Sequence, residues 1–254
     1  MLVNGKQLLM EAKKNGYAIP AANFIDMDCV RAYVEAAEEM DMPLILAYAQ
    51  SHQGMLSLEE AAMIGKYYAE QAAIPVVLHL DHATDMDFIQ ETLRLGFTSV
   101  MIDASTSSLQ INQKITRSVI DMAHYYDAAV EAELGHVGSV DDGDIYTKAE
   151  DLSTFLKDTA VNSLAVSIGT AHGDFERLQN LYASASVPLV LHGGSFSGDE
   201  NLERCAIGGI AKINIFTDFM LAADKAIKEM ESASYPDLKV SIREAMKNTL
   251  QHYY

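Results

Sequence analysis

The chain has 254 residues, 49% of them hydrophobic and 21% charged, a globular mix long enough for one large α/β domain or two small ones. Its net charge of −18 argues against non-specific nucleic-acid binding, which needs a basic footprint. No apolar run approaches the roughly 20 residues of a membrane span, the N-terminus lacks the layout of a signal peptide, and Cys29 and Cys205 are the only cysteines, so the expectation is a cytoplasmic protein without a disulfide framework, a membrane or a nucleic-acid partner.

The opening MLVNGKQLLMEAKKNG has the spacing of a short amphipathic helix. Eight short apolar runs then recur in chain order: 18–24, 43–48, 75–82, 99–105, 128–135, 163–169, 188–194 and 211–217. Most are β-branched and nearly continuous, as strands buried on both faces are. Segments of helical spacing lie between them, clearest in DCVRAYVEAAEEM, SLEEAAMIGKYYAEQAA, MDFIQETLRLG and INQKITRSVIDMAHYYD. Several follow Asp or Ser, the residues that cap helix N-termini, and Asp85 is expected to cap the helix at 86–95. Eight such βα units in about 250 residues predict an α/β fold, a (β/α)8 TIM barrel in a single domain over 1–254. A doubly wound open sheet is the runner-up, but no GxGxxG follows the first run, so dinucleotide binding has no support.

Polar residues gather where these runs end. Run 1 ends in Asn23, run 3 in Asp81-His82, and run 4 carries Asp103 and Ser105. Run 5 holds Glu131 and Glu133, run 6 leads into His172, run 7 ends in His192, and run 8 holds Asn214 and Thr217. In a barrel all these ends open on one face, where such enzymes place their chemistry. Three imidazoles, His82, His172 and His192, with a fourth position open suit a catalytic zinc site; cobalt and manganese are alternatives. Each histidine alone is more often an ordinary hydrogen-bonded residue, and their shared location makes the joint reading. His79 is a weaker candidate that would orient a ligand. Asp81 beside the metal could relay a proton to a substrate oxygen; otherwise it only hydrogen-bonds a ligand histidine. Glu133 could point inward as a metal or monovalent-cation ligand. HGGSFSGDE (192–200) and NIFTD (214–218) read as anion-holding loops, with Gly173 a third close backbone approach, or as ordinary turns.

Five ordered segments, LHLDHATD, VEAELGHVG, SLAVSIGTAHG, PLVLHGGS and GIAKINIFTD, resemble the class II, metal-dependent ketose-bisphosphate aldolases, nearer the tagatose-bisphosphate aldolase-like branch than the long fructose-bisphosphate enzymes. The resemblance covers nearly the whole chain. It implies His82, His172 and His192 as zinc ligands, Asp81 as catalytic acid/base, and Glu133 near the metal. It implies Gly173, Gly193, Gly194 and Ser195 at the phosphate of dihydroxyacetone phosphate, Asn214 and Thr217 on the same triose, Asn23 among the substrate-binding residues, and a homodimer or homotetramer. Three departures stand out. Phe196 follows Ser195 where glycine is usual. The loop after ELG reads GSVDD, which puts Asp141 in place of the mobile-loop glutamate as proton donor. The connection after GTAHG is compact.

The resemblance implies reversible aldol cleavage of a phosphorylated ketose to dihydroxyacetone phosphate and an aldehyde. One alternative is a diverged relative that binds metal and sugar phosphate as a regulatory subunit without efficient turnover. A Schiff-base aldolase would need a lysine inside the barrel; Lys212 is on run 8, with nothing in the sequence to desolvate it. A metal-dependent hydrolase of another barrel family would leave the anion loops idle.

Overall fold

The computed structural model describes residues 1–135, 146–169, 175–230 and 233–254. Each apolar run forms a strand within its expected bounds or one residue beyond them. The strands are β1 (Leu2–Val3), β2 (Ile19–Asn23), β3 (Leu44–Ala49), β4 (Val76–Ala83), β5 (Ser99–Ile102), β6 (Ala129–Leu134), β7 (Ser163–Val166), β8 (Leu189–Leu191) and β9 (Ile210–Ile215). β2 to β9 pair in parallel in chain order, and β9 pairs back onto β2, so the sheet closes into an eight-stranded barrel. The N-terminus is not helix alone, as its spacing suggested. β1 adds two residues beside Val76 and Val77 of β4, below the level where β5 joins at His79.

The helices are α1 (Lys6–Asn15), α2 (Met27–Met40), α3 (Leu58–Gln71), α4 (Met86–Leu95), α5 (Leu109–Tyr125), α6 (Ala149–Asp158), α7 (Phe175–Ser184), α8 (Asp199–Ile207), α9 (Thr217–Glu229) and α10 (Tyr235–Tyr253). α2 to α9 each follow one barrel strand. Local chemistry starts them. Asp26 accepts from the Cys29 amide, Ser57 and Glu60 form a capping box, and Asp85 accepts from the Asp87 and Phe88 amides as its sequence position predicted.

Alternation along the strands separates two interiors. Leu44, Leu46, Tyr48, Leu78 and Leu80 face outward into the large core shared with the helices. Burying each such leucine stabilises the fold by about 1.5–3 kcal/mol. The alternate residues Ile19, Ala21, Ile45, Ala47 and Val77 form a second cluster inside the barrel, and Leu9 and Ala12 of α1 pack onto it. A polar group sits inside as well. His79, Ser99, Glu131, Ser163 and Lys212 are all buried and joined by hydrogen bonds.

Candidate active site

The two polar residues that end β4 would face opposite sides of a regular strand. Here the β4–β5 register slips between Leu80 and Ala83, and His82 takes a left-handed backbone at φ +45°. A bulge of this kind re-aims side chains at a barrel rim. As a result Asp81 and His82 both meet His192 of the β8 loop. The His82 and His192 ring centroids lie 4.3 Å apart, and His192 Nδ1 lies 3.8 Å from Asp81 Oδ1.

Each histidine gives one ring nitrogen to a carboxylate. His82 Nδ1 donates to Asp103 Oδ2 at 3.2 Å, and His192 Nε2 donates to Glu131 Oε1 at 3.1 Å. In the neutral imidazoles these bonds would leave the lone pairs of His82 Nε2 and His192 Nδ1 for another partner. Glu131 is bonded in turn by Lys212 Nζ, at 2.8 and 2.9 Å to its two oxygens, and by Ser163 Oγ at 3.1 Å. Lys212 also donates to His79 Nε2 at 3.1 Å.

Burial alone would raise the Asp81 carboxyl, but His82, His192 and Lys212 outweigh it and hold the group below its ordinary value. Glu131 is likewise held well below its ordinary value against burial, chiefly by Lys212. Glu133 goes the other way. Burial, with Asp103 nearby, pushes it up to about 8. His82 is raised to about 9 despite burial, because Asp103, Asp81 and Glu133 surround it with negative charge.

The structure brings together Asn23, Asp81, His82, Glu133, His192 and Asn214. Asn23 Nδ2 donates to Asp81 Oδ2 at 2.8 Å and Asn214 Nδ2 to Asp81 Oδ1 at 2.9 Å, so both amides hold the aspartate. Glu133 Oε2 lies 3.7 Å from His82 Nδ1. Ser195 Oγ accepts from the Phe216 and Asp218 amides at 3.4 and 3.3 Å and ties the β8 loop to the start of α9, where Thr217 is exposed. Gly193 has φ +68°, and Gly194 has no room for a side chain, since a Cβ would meet Ile213 Cγ2 at 2.4 Å. His172, Gly173 and Asp141 lie outside the described residues.

Phe196 has a left-handed backbone at φ +63°, the region that favours glycine, with its side chain 73% exposed. Left-handed backbone costs an L-residue about 1–2 kcal/mol, and glycine's extra chain entropy returns about half of that. Phe196→Gly is therefore expected to raise stability by about 0.5–1 kcal/mol, read as a higher urea midpoint. A lower midpoint would mean the ring makes a contact that matters.

Sequence reasoning gave no role to Asp103, Glu131 or Lys212. The expectation that nothing desolvates Lys212 is corrected, because it is 1% exposed inside the barrel. The signal was present. Lys212 is the only lysine or arginine in the eight runs, and Glu131 shares a strand face with Glu133.

Among the described residues, two sets of side chains could hold a cation, Asp81–His82–His192 and His82–Asp103–Glu133, with the ligand atoms of each set within 4.8 Å of one another. The sequence model of the family described as fructose-bisphosphate aldolase class-II matches residues 3–254. This chain belongs to the class II fructose-bisphosphate aldolase family. It is a lyase of the aldolase kind, and the family implies a sugar-phosphate substrate. The fold is similar to that of the YdjI aldolase from Escherichia coli K12, with 33% identity, a TM-score of 0.93, and 99% of this chain and 95% of that one covered. It is also similar to a fructose-bisphosphate aldolase (Fba) from Campylobacter jejuni, with 24% identity, a TM-score of 0.86, and 99% and 94% covered. Class II aldolases are typically metal-dependent, and the residues present fit a metal. Glu133 Oε2 is buried with no hydrogen-bond partner among the described residues, and the negative charge around His82 that favours a proton there would equally favour a metal cation. No helix among the described residues is long and apolar enough to cross a membrane.

Proposed function

We propose that this aldolase reversibly cleaves a phosphorylated ketose to dihydroxyacetone phosphate and an aldehyde. His82, His172 and His192 would hold a zinc ion, with Glu133 close by. A divalent ion there supplies Lewis-acid stabilisation of the charge that develops on the ketone oxygen. The observation that carries the reading is Asp81. It is a buried carboxylate kept ionised beside two imidazoles, with both oxygens fixed by amides.

In cleavage Asp81 takes the proton of the C4 hydroxyl as the C3–C4 bond breaks. The bonding pair moves onto the triose half, and the new aldehyde leaves. A proton then adds to C3 of the triose, and Asp141 is the residue assigned to deliver it. Gly173, Gly193, Gly194, Ser195 and Thr217 are assigned to the triose phosphate. Backbone amides at close-packed glycines and a helix N-terminus suit an anion. Asn23 and Asn214 act chiefly by holding Asp81. Asn214 Oδ1, buried without a partner among the described residues, is left to accept from a substrate hydroxyl. A homodimer or homotetramer is the assembly proposed, as the family resemblance implies.

The test needs no knowledge of the aldehyde. Dihydroxyacetone phosphate incubated with zinc-loaded protein in D₂O should exchange a C3 proton, followed by NMR. A strong chelator should stop the exchange and added zinc restore it. Loaded protein that binds the triose without exchange would overturn the reading in favour of a sugar-phosphate-binding subunit.

A further inference from the structure

The two loops assigned to the triose phosphate, 192–198 after β8 and 216–217 after β9, run into α8 and α9. The Gly194 amide joins them by donating to Asn214 O at 2.9 Å. Asp26, Ser57, Asp85, Ser108 and Ser234 cap α2, α3, α4, α5 and α10 with a side chain. α8 and α9 follow Gly198 and Phe216 instead, and among the described residues neither has a side-chain cap. The start of α9 has Ser195 Oγ, which accepts the Phe216 and Asp218 amides at 3.4 and 3.3 Å. Such bonds are long for N–H···O and leave those amides available to a stronger acceptor.

Each helix carries a competitor for its own amides. An acidic side chain in a first turn is drawn to the positive helix end. Asp218 is the acidic residue in the first turn of α9, and Asp199 opens α8 beside Glu200. Successive residues in the last turn of α10 take both aspartates. His252 Nε2 meets Asp199 Oδ1 at 3.0 Å, and the Tyr253 hydroxyl donates to Asp218 Oδ2. The His252 pair is exposed and contributes little. The Tyr253 bond is partly buried. Its ring packs edge-on against the buried Phe219, with centroids 6.4 Å apart. It also lines a cavity of about 460 Å³ with Leu202, Ile213 and Ile215, on the outer side of β9. Burial, then Asp218, push the Tyr253 hydroxyl above its ordinary value, so it stays a donor. The Asp218 carboxylate is thus turned to the outside of the barrel rather than to its mouth.

We propose that Tyr253 is a positioning residue for the triose phosphate. By holding Asp218 it keeps that carboxylate off the start of α9 and leaves the amides there to the phosphate. This inference rests on the function proposed above and extends it to a residue outside the site. A released Asp218 would seek the same amides as the phosphate, and two anions at one helix end repel each other.

The test compares Tyr253→Phe, which keeps the ring, with the double variant Tyr253→Phe/Asp218→Asn, which also removes the charge. The probes are inorganic phosphate, followed by calorimetry, and dihydroxyacetone phosphate, followed by C3 exchange. Tyr253→Phe should weaken phosphate binding and raise the KM of exchange by about three- to tenfold, the range of one hydrogen bond. The kcat of exchange should stay within about twofold, as loss of binding alone requires. The double variant should return both affinities to within about twofold of the parent, because the competing charge is gone. A brace for the fold alone predicts the reverse, since the double variant lacks the contact as well. A double variant as weak as the single one, or a Tyr253→Phe enzyme with the parent's affinities, would overturn the inference. Failure of the underlying function looks different. The parent would then bind the triose without exchange, and the phosphate affinities would still decide the role of Tyr253.

Discussion

An Asp81→Ala enzyme should lose aldol cleavage by about 10²- to 10⁴-fold in kcat and still exchange the C3 proton of dihydroxyacetone phosphate at close to the parent rate. The two half-reactions use different protons. Asp81 serves the C4 hydroxyl, which the triose alone does not have, whereas exchange needs the triose, the metal and the group that serves C3. The variant leaves the Asn23 and Asn214 amides without their carboxylate acceptor. Some stability, about 1–3 kcal/mol, should go with it. Thermal melting and the rate of deuterium incorporation are the controls. His192→Ala, in contrast, should lose cleavage and exchange together. If Asp81→Ala cleaved ketose at the parent rate, the assignment of Asp81 as the base would be wrong. If it lost exchange as completely as cleavage, its role would be to hold the histidines.

The second large effect concerns Glu131 and Lys212. Removing one charge strands the other in the barrel, and Lys212→Met alone should cost about 3–5 kcal/mol of stability. Replacing both, as Glu131→Leu with Lys212→Met, should restore most of that, because apolar side chains of similar volume often substitute for a buried pair without loss. Metal retention should not recover with it. His192 Nε2 would lose the acceptor that fixes its tautomer and ring orientation, and outer partners of this kind are worth about 10- to 100-fold in affinity. Competition with a chelating dye reads retention, and urea unfolding reads stability. A double variant that holds zinc as tightly as the parent would mean that the pair is structural only.

The barrel was legible because fully buried parallel strands leave continuous apolar runs, and because Asp and Ser announce helix starts such as Asp26, Ser57 and Asp85. The meeting of His82 with His192 was legible from the position of both at strand ends. The arrangement of Asp81 and His82 was not. Period-two alternation places them on opposite faces, and only the bulge and the left-handed His82 bring both to one point. Asn23 and Asn214 were read as substrate contacts, and that their amides also hold Asp81 was not foreseen. An amide at a strand end gives no hint of which neighbour it will serve. β1 escaped notice because two residues carry no periodicity.

The polar group inside the barrel also bears on how the chain folds. Glu131 and Lys212 lie 81 residues apart, on the first and last strands of the run β6–β7–β8–β9. In a flat sheet of those four strands they would sit about 14 Å apart, three strand spacings. His79, which shares Lys212, comes from the other half of the chain. The Glu131–Lys212 contact therefore forms only when the sheet has curled enough for inward side chains to meet across its concave face. A flat sheet would hold a lysine and a glutamate at its two edges, on the same face and unmatched. Curling is the step at which both charges find partners, and the bond to His79 adds the other half of the chain, which favours cooperative folding of the barrel.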